Sequence, residues 1–293
     1  MKKGVFTKGA FALSMTVFGT IGLLVRFINL PSGEIALYRA IMATLLVGGF
    51  ILVSGGRIDR GSLRNNLILL LLSGGAMGIN WILLFEAYKF TSVSTATLSY
   101  YFAPVIVTVV SPILFKEKMT YNGWICFAAS TVGLVLITGI GEVSIGHLKG
   151  ILFGLSAALF YATVMILNKF IKGVDGIMRT FMQFVAATLV LLPYVILDGG
   201  FHLGELSGGG VVSLLTVGIL HTGVAYCLYF SSLGELRGQE AAILSYVDPF
   251  VAVIVSVAVL GEPLTPMQII GGILILGFTL WNELSGISVN KQK

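Results

Sequence analysis

Ten apolar runs, most of them close to helix-spanning length, divide this chain, and each stops at charged or turn-forming residues. They cover residues 9–28, 33–53, 67–88, 92–115, 121–140, 149–168, 177–197, 211–231, 240–260 and 266–283. A helix needs about 20 residues to cross about 30 Å of hydrocarbon. Strands of a membrane barrel would read as alternating segments of about ten residues instead. The breaks are punctuated by Asn29-Leu30-Pro31-Ser32-Gly33, Ser54-Gly55-Gly56-Arg57, Lys172-Gly173-Val174-Asp175-Gly176 and Gly208-Gly209-Gly210, and none leaves room for a separate extramembrane domain. The pattern predicts an all-α integral membrane bundle of ten helices.

Composition agrees. The chain of 293 residues is 56% hydrophobic and 11% charged, with a mean hydropathy of +0.98. Soluble domains carry about 25% charged residues, so this chain cannot clothe a water-facing surface. With the N-terminus in the cytoplasm, 14 of the 18 Lys and Arg residues fall in inner segments, while Arg26, Lys89 and Lys149 fall outside and Arg39 lies within a span. Short loops obey the positive-inside rule, which places both termini on the cytoplasmic side, and a cell (plasma or inner) membrane is the expected location. The net charge of +5 is therefore a topology signal, and nucleic acid is not an expected partner. Lys2 and Lys3 precede an apolar run too long for a signal-peptide core, so that run is taken as the first span. Cys126 and Cys227 both fall in spans and read as small packing residues.

The chain also repeats itself. Thr97-Leu98-Ser99-Tyr100-Tyr101-Phe102-Ala103-Pro104 is echoed by Ile243-Leu244-Ser245-Tyr246-Val247-Asp248-Pro249, and Lys116-Glu117-Lys118-Met119-Thr120 by Gly261-Glu262-Pro263-Leu264-Thr265. Pro104 and Pro249, Glu117 and Glu262, and Thr120 and Thr265 are each separated by 145 residues. A repeat of that length holds five spans. Five is odd, so the second copy enters the membrane from the opposite side, as in transporters that place a site at the bilayer midplane. Residues 1–140 form the first copy, 149–284 the second, and 285–293 a cytoplasmic tail.

These motifs, together with Leu84-Phe85-Glu86-Ala87-Tyr88, resemble the EamA-type repeat of the drug/metabolite transporter superfamily, in two copies over essentially the whole chain. The resemblance implies ten helices, cytoplasmic termini and alternating-access movement of small metabolites such as amino acids. It also implies a cavity lined mainly by the first, third, fourth, sixth, eighth and ninth helices, with the fifth and tenth peripheral. The first copy departs from the family pattern with Lys116-Glu117-Lys118 in place of Gly-Glu. Arg39, too, has Gln183 as its counterpart at a shift of 144.

Several residues could carry chemistry. Pro104 and Pro249 lie near the middle of their spans, where proline frees the carbonyl four residues earlier, here of Tyr100 and Ser245. As a mirrored pair they are expected to be hinges. Asp248 sits in an otherwise apolar run on the same helical face as Ser245. An intramembrane carboxylate usually marks a substrate or proton path; the plainer role is to cap backbone freed by Pro249. His221 shares a small and polar face with Gly218, Thr222, Ala225 and Tyr229, and histidine is the residue type whose ordinary titration lies near neutral pH, which would suit proton coupling or substrate binding; the plainer role is a bond to a neighbouring helix. Asp248 and His221 are the coupling candidates. Asn80, Trp81, Tyr100 and Tyr101 complete the candidate substrate lining, since aromatic walls with a few placed polar groups suit small molecules. Arg39 either snorkels to the outer interface or is buried. Glu86 and Lys89 are spaced to pair, and Glu117 and Glu262 read as helix-initiating or gate residues.

The leading expectation is a secondary transporter of a small metabolite, an amino acid or a related compound, with export as the direction and proton coupling open against uniport. A phosphate loop, a zinc-protease motif and a serine-nucleophile motif are all absent, which argues against a pump or an intramembrane enzyme. No filter-like loop argues for a channel. No cofactor and no metal are expected. The partners are a small-molecule substrate and membrane lipid, with a homodimer left open.

Overall fold

The computed structural model describes residues 2–54, 59–115, 118–138, 144–233, 235–236 and 238–290. Among these, nine helical stretches are long and apolar enough to cross a membrane, and a shorter apolar stretch, Ile243–Ala258, belongs to a tenth. The ten spans predicted from the pattern are thus present. Glu117, Arg57, Lys116, Arg237, Lys291 and Lys293, all used in the sequence reading, lie outside the described residues.

The first span comprises helices Lys2–Gly19 and Ile21–Val25, the second Ser32–Val53 and the third Leu67–Phe90. The fourth is Val93–Tyr100 followed by Ala103–Phe115, and the fifth is Tyr121–Thr138. The sixth and seventh are Ile145–Phe170 and Gly176–Leu197. The eighth runs from Gly208 to Leu233 and contains a π-helical stretch, Val217–Val224. The ninth is Gly238–Ser245 followed by Val247–Ala258, and the tenth is Pro266–Asn290. Side-chain caps begin several of them: the Ser92 hydroxyl accepts from the Thr95 amide, and the Asp175 carboxylate from that of Ile177. These bonds satisfy amides that no earlier turn can reach.

The architecture is two inverted five-helix repeats. The third span packs on the sixth and seventh, and its counterpart, the eighth, packs on the first and second. The fourth lies against the sixth as the ninth lies against the first, while second and seventh, fourth and ninth, and fifth and tenth pair with each other. Exchanging the copies maps this set of neighbours onto itself. The fifth and tenth spans meet backbone to backbone: a Cβ added at Gly133 would stand 2.6 Å from the Gly271 carbonyl oxygen. Small residues permit such approach where lipid supplies no hydrophobic drive.

The fourth and ninth spans, each read as one apolar run with a proline near its middle, are not continuous helices. They are broken instead. The helix stops at Tyr100 and restarts at Ala103, and stops at Ser245 and restarts at Val247. Pro104 and Pro249 therefore fall in the first turn of a new helix, where proline's missing N–H has no carbonyl to serve.

Candidate substrate cavity

A cavity of about 440 Å³ lies between the spans at the level of these two breaks. Nine of the ten spans reach its wall, most of the lining coming from the first, third, fourth, sixth, eighth and ninth, and none from the fifth. Asn80, Trp81, Tyr100, Tyr101, Tyr229, Ser245, Asp248 and Pro104 all line it; Pro249 is buried behind the wall.

Several of these side chains are held by neighbouring spans. Asn80 donates to the Ala157 carbonyl at 2.6 Å, tying the third span to the sixth. Tyr100 stacks on Tyr161 with ring centroids 5.1 Å apart and meets Tyr101 edge-on. The Tyr101 hydroxyl donates to the Asp248 carboxylate at 2.7 Å, joining the two broken helices. Tyr229 belongs to an aromatic group with Phe18, Tyr226 and Phe230.

His221 requires a correction. It does not line the cavity. It is buried between spans, with Nε2 at 2.8 Å from the Thr20 hydroxyl and Nδ1 at 3.3 Å from the Thr216 carbonyl. The alignment of His221 with Tyr229 assumed a 3.6-residue period, and the π stretch Val217–Val224 widens the turn and breaks that register.

Other wall residues were missed or left open. Arg39 is buried. Its Nε donates to the Thr222 hydroxyl at 2.9 Å, and its guanidinium lies 4.2 Å from the centre of the Trp81 ring. Gln183, its counterpart, donates to Ser73 and Asn168. The match between Arg39 and Gln183 at the repeat spacing was the available signal. Arg179 and Glu283 also reach the wall, but charges near span ends are ordinarily read as interfacial. Among the described residues, Arg39, Arg179, Asp248 and Glu283 form no ion pair with one another. Nor do three His, Cys, Asp or Glu side chains gather as metal ligands among the described residues.

The two ends of the cavity differ. On the side of the N-terminus the wall reaches Asn168, Arg179, Leu233 and Glu283, each within a turn of its span's end. On the far side Arg26 donates to the Glu262 carboxylate at 2.6 Å and to the Thr91 carbonyl at 2.7 Å. Glu262 also accepts from the Val93 amide at 2.7 Å and from the Ser256 hydroxyl. This network knots the first, fourth and ninth spans together. Beyond it, the Glu34 carboxylate accepts from the His202 amide at 2.9 Å and pairs with its Nδ1 at 2.5 Å. That hydrogen bond raises the His202 pKa above its ordinary value. Glu86 and Lys89 pair at 3.1 Å on the same side.

Two inverted copies of five membrane helices, closed around one polar and aromatic cavity, define a multi-pass membrane transporter. The chain belongs to the EamA-like transporter family, which matches residues 7–139 and again residues 148–282. An uncharacterized transporter of Bacillus subtilis is 32% identical over 269 residues, 90% of this chain and 85% of the relative. One from Archaeoglobus fulgidus is 28% identical over 285 residues, 95% and 97% of the two chains. Solute carrier family 35 member G1 of Homo sapiens is 30% identical over 186 residues, 56% of this chain and 48% of that one. A protein of known crystal structure shares the fold at a TM-score of 0.65 and 17% identity, over 95% of this chain and 98% of its own.

Proposed function

We propose that this transporter exports a small zwitterionic metabolite, an amino acid or a close relative, across the cytoplasmic membrane by alternating access in exchange for protons. One observation carries the substrate class: Arg39 and Asp248 stand on the wall of a single cavity without pairing with each other. A guanidinium stacked on Trp81 offers N–H donors to a carboxylate, and Asp248 offers an acceptor to an ammonium group. The aromatic rings cover what lies between. A volume of about 440 Å³ falls within the range of small-molecule pockets.

The distribution of Lys and Arg supports cytoplasmic termini. With that orientation the Arg26–Glu262 network lies across the outer end, and cargo enters from the cytoplasm. Asp248 serves exchange because one carboxylate can hold either an ammonium group or a proton, in turn.

The test is counterflow of radiolabelled L-amino acids in proteoliposomes, with and without an imposed pH gradient. Wild type should exchange at least one of them and accumulate it when the gradient is applied. Asp248→Asn removes a charge-assisted hydrogen bond worth about 1.5–3 kcal/mol, so apparent affinity should fall about ten- to a hundredfold. A wild type that exchanges none of the amino acids sinks the substrate reading. One that exchanges them but ignores the gradient is a uniporter.

A further inference from the structure

Glu283 of the tenth span is a cavity carboxylate that substrate recognition by Arg39 and Asp248 leaves unused. It lines the wall toward the N-terminal side. Among the described residues it has no ion-pair partner and no hydrogen bond to its carboxylate. Leu276 and Leu280, seven and three residues earlier, share its helical face and pack in the cluster around Tyr246. Tyr246 is only 5% exposed, lines the same cavity, and has a hydroxyl without a partner.

The repeat makes this arrangement meaningful. Tyr246 is the counterpart of Tyr101, whose hydroxyl is bonded to Asp248. At the positions matching Asp248 and Glu283 the first copy has Ala103 and Thr138, and the Thr138 hydroxyl turns back to the Leu134 carbonyl at 2.9 Å. Both cavity carboxylates therefore come from the second copy, one bonded to a break-point tyrosine and the other placed on the side of its twin.

The titratable and charged groups around Glu283 come from several elements. They are Cys126 of the fifth span, Tyr101 of the fourth, Tyr161 and Arg179 across the cavity, and Tyr246 and Asp248 of the ninth; Glu240 is engaged by Lys8 at 2.7 Å. The cluster around Tyr246 is otherwise mostly apolar, with Leu98, Phe102, Leu134 and Ile137 among its members, and among the described residues no three His, Cys, Asp or Glu side chains gather as they would around a metal cation. The ion that fits is a proton.

We propose that Glu283, with the Tyr246 hydroxyl, is a second proton-exchanging site of the cavity, set between Asp248 and the cytoplasmic mouth. The O–H bond of the Asp248 carboxyl breaks as one forms on the Glu283 carboxylate, the proton crossing by the Tyr246 hydroxyl or cavity water. Negative charge moves to Asp248, where it can receive the substrate ammonium, and Glu283 releases its proton to the cytoplasmic mouth. This rests on the proton-exchange reading above.

Proteoliposome assays with a mixture of radiolabelled L-amino acids separate the two claims. Glu283→Gln should keep counterflow at equal pH while losing most of the accumulation driven by a pH gradient, and Glu283→Asp should retain both. Asp248→Asn should lose affinity in either assay. If Glu283→Gln follows the gradient as wild type does, this proposal alone is overturned. If it loses counterflow while Glu283→Asp keeps it, Glu283 belongs to the substrate subsite and the proposal fails. If wild type ignores the gradient, proton exchange and the role of Glu283 fall together.

Discussion

At the scale of single residues, Arg39 shows how position alone leaves a side chain ambiguous. Seven residues into a span, its stem is long enough to reach the interface. Burial, the Thr222 hydrogen bond and the Trp81 ring hold it at the cavity instead. Lysine at this position keeps the charge but loses the planar fork and the stacking. Stacking of a cation on an aromatic ring is worth about 0.5–2 kcal/mol, so Arg39→Lys should weaken apparent substrate affinity about two- to thirtyfold. A concentration series in the counterflow assay measures this, and unchanged affinity would mean the guanidinium does not touch the cargo. His202 offers a pH test at the end of the bundle away from the N-terminus. Its pKa is raised above the value in an unfolded chain by the Glu34 hydrogen bond. The clasp therefore contributes fully below the unfolded value of about 6.5 and fades as pH climbs through the raised one. His202→Ala should melt below wild type in acid, with the gap closing in alkali; a gap that widens with pH refutes the clasp.

At the scale of elements, the breaks of the fourth and ninth spans decide what the prolines do. Since Pro104 and Pro249 open the second half of each span, alanine there leaves side chains in place but lets the backbone run on as one helix. Pro104→Ala and Pro249→Ala should each slow transport while leaving apparent affinity close to wild type. Rates and affinities measured together test this, and wild-type rates in both variants would make the prolines packing features. The eighth span carries the opposite lesson. A helical wheel drawn over Gly218–Tyr229 put His221 with the cavity residues, but the π stretch moved it to Thr20. No run of residue types in Val217–Val224 signals that widened turn.

At the scale of the whole molecule, the inverted repeat requires Gly61 and Gly208, both exposed, to face opposite sides. Single cysteines at these sites, in a background lacking Cys126 and Cys227, should label with an impermeant maleimide from opposite sides of the membrane; labelling from one side would break the topology. The spans themselves were legible because a membrane helix satisfies its backbone within about 20 consecutive residues, so its existence is written locally. The repeat was legible because Pro104 and Pro249 kept their spacing. Much of the wall was legible too, through Trp81, Tyr101 and Asp248, polar or aromatic residues where lipid would exclude them. What only the tertiary structure decided is which of these groups meet. Tyr101 finds Asp248 147 residues away, Arg39 finds Thr222 at 183, and Arg26 finds Glu262 at 236. Such partnerships depend on how helices distant in the chain are packed and broken, and the local backbone bonding that makes each helix says nothing about its neighbours.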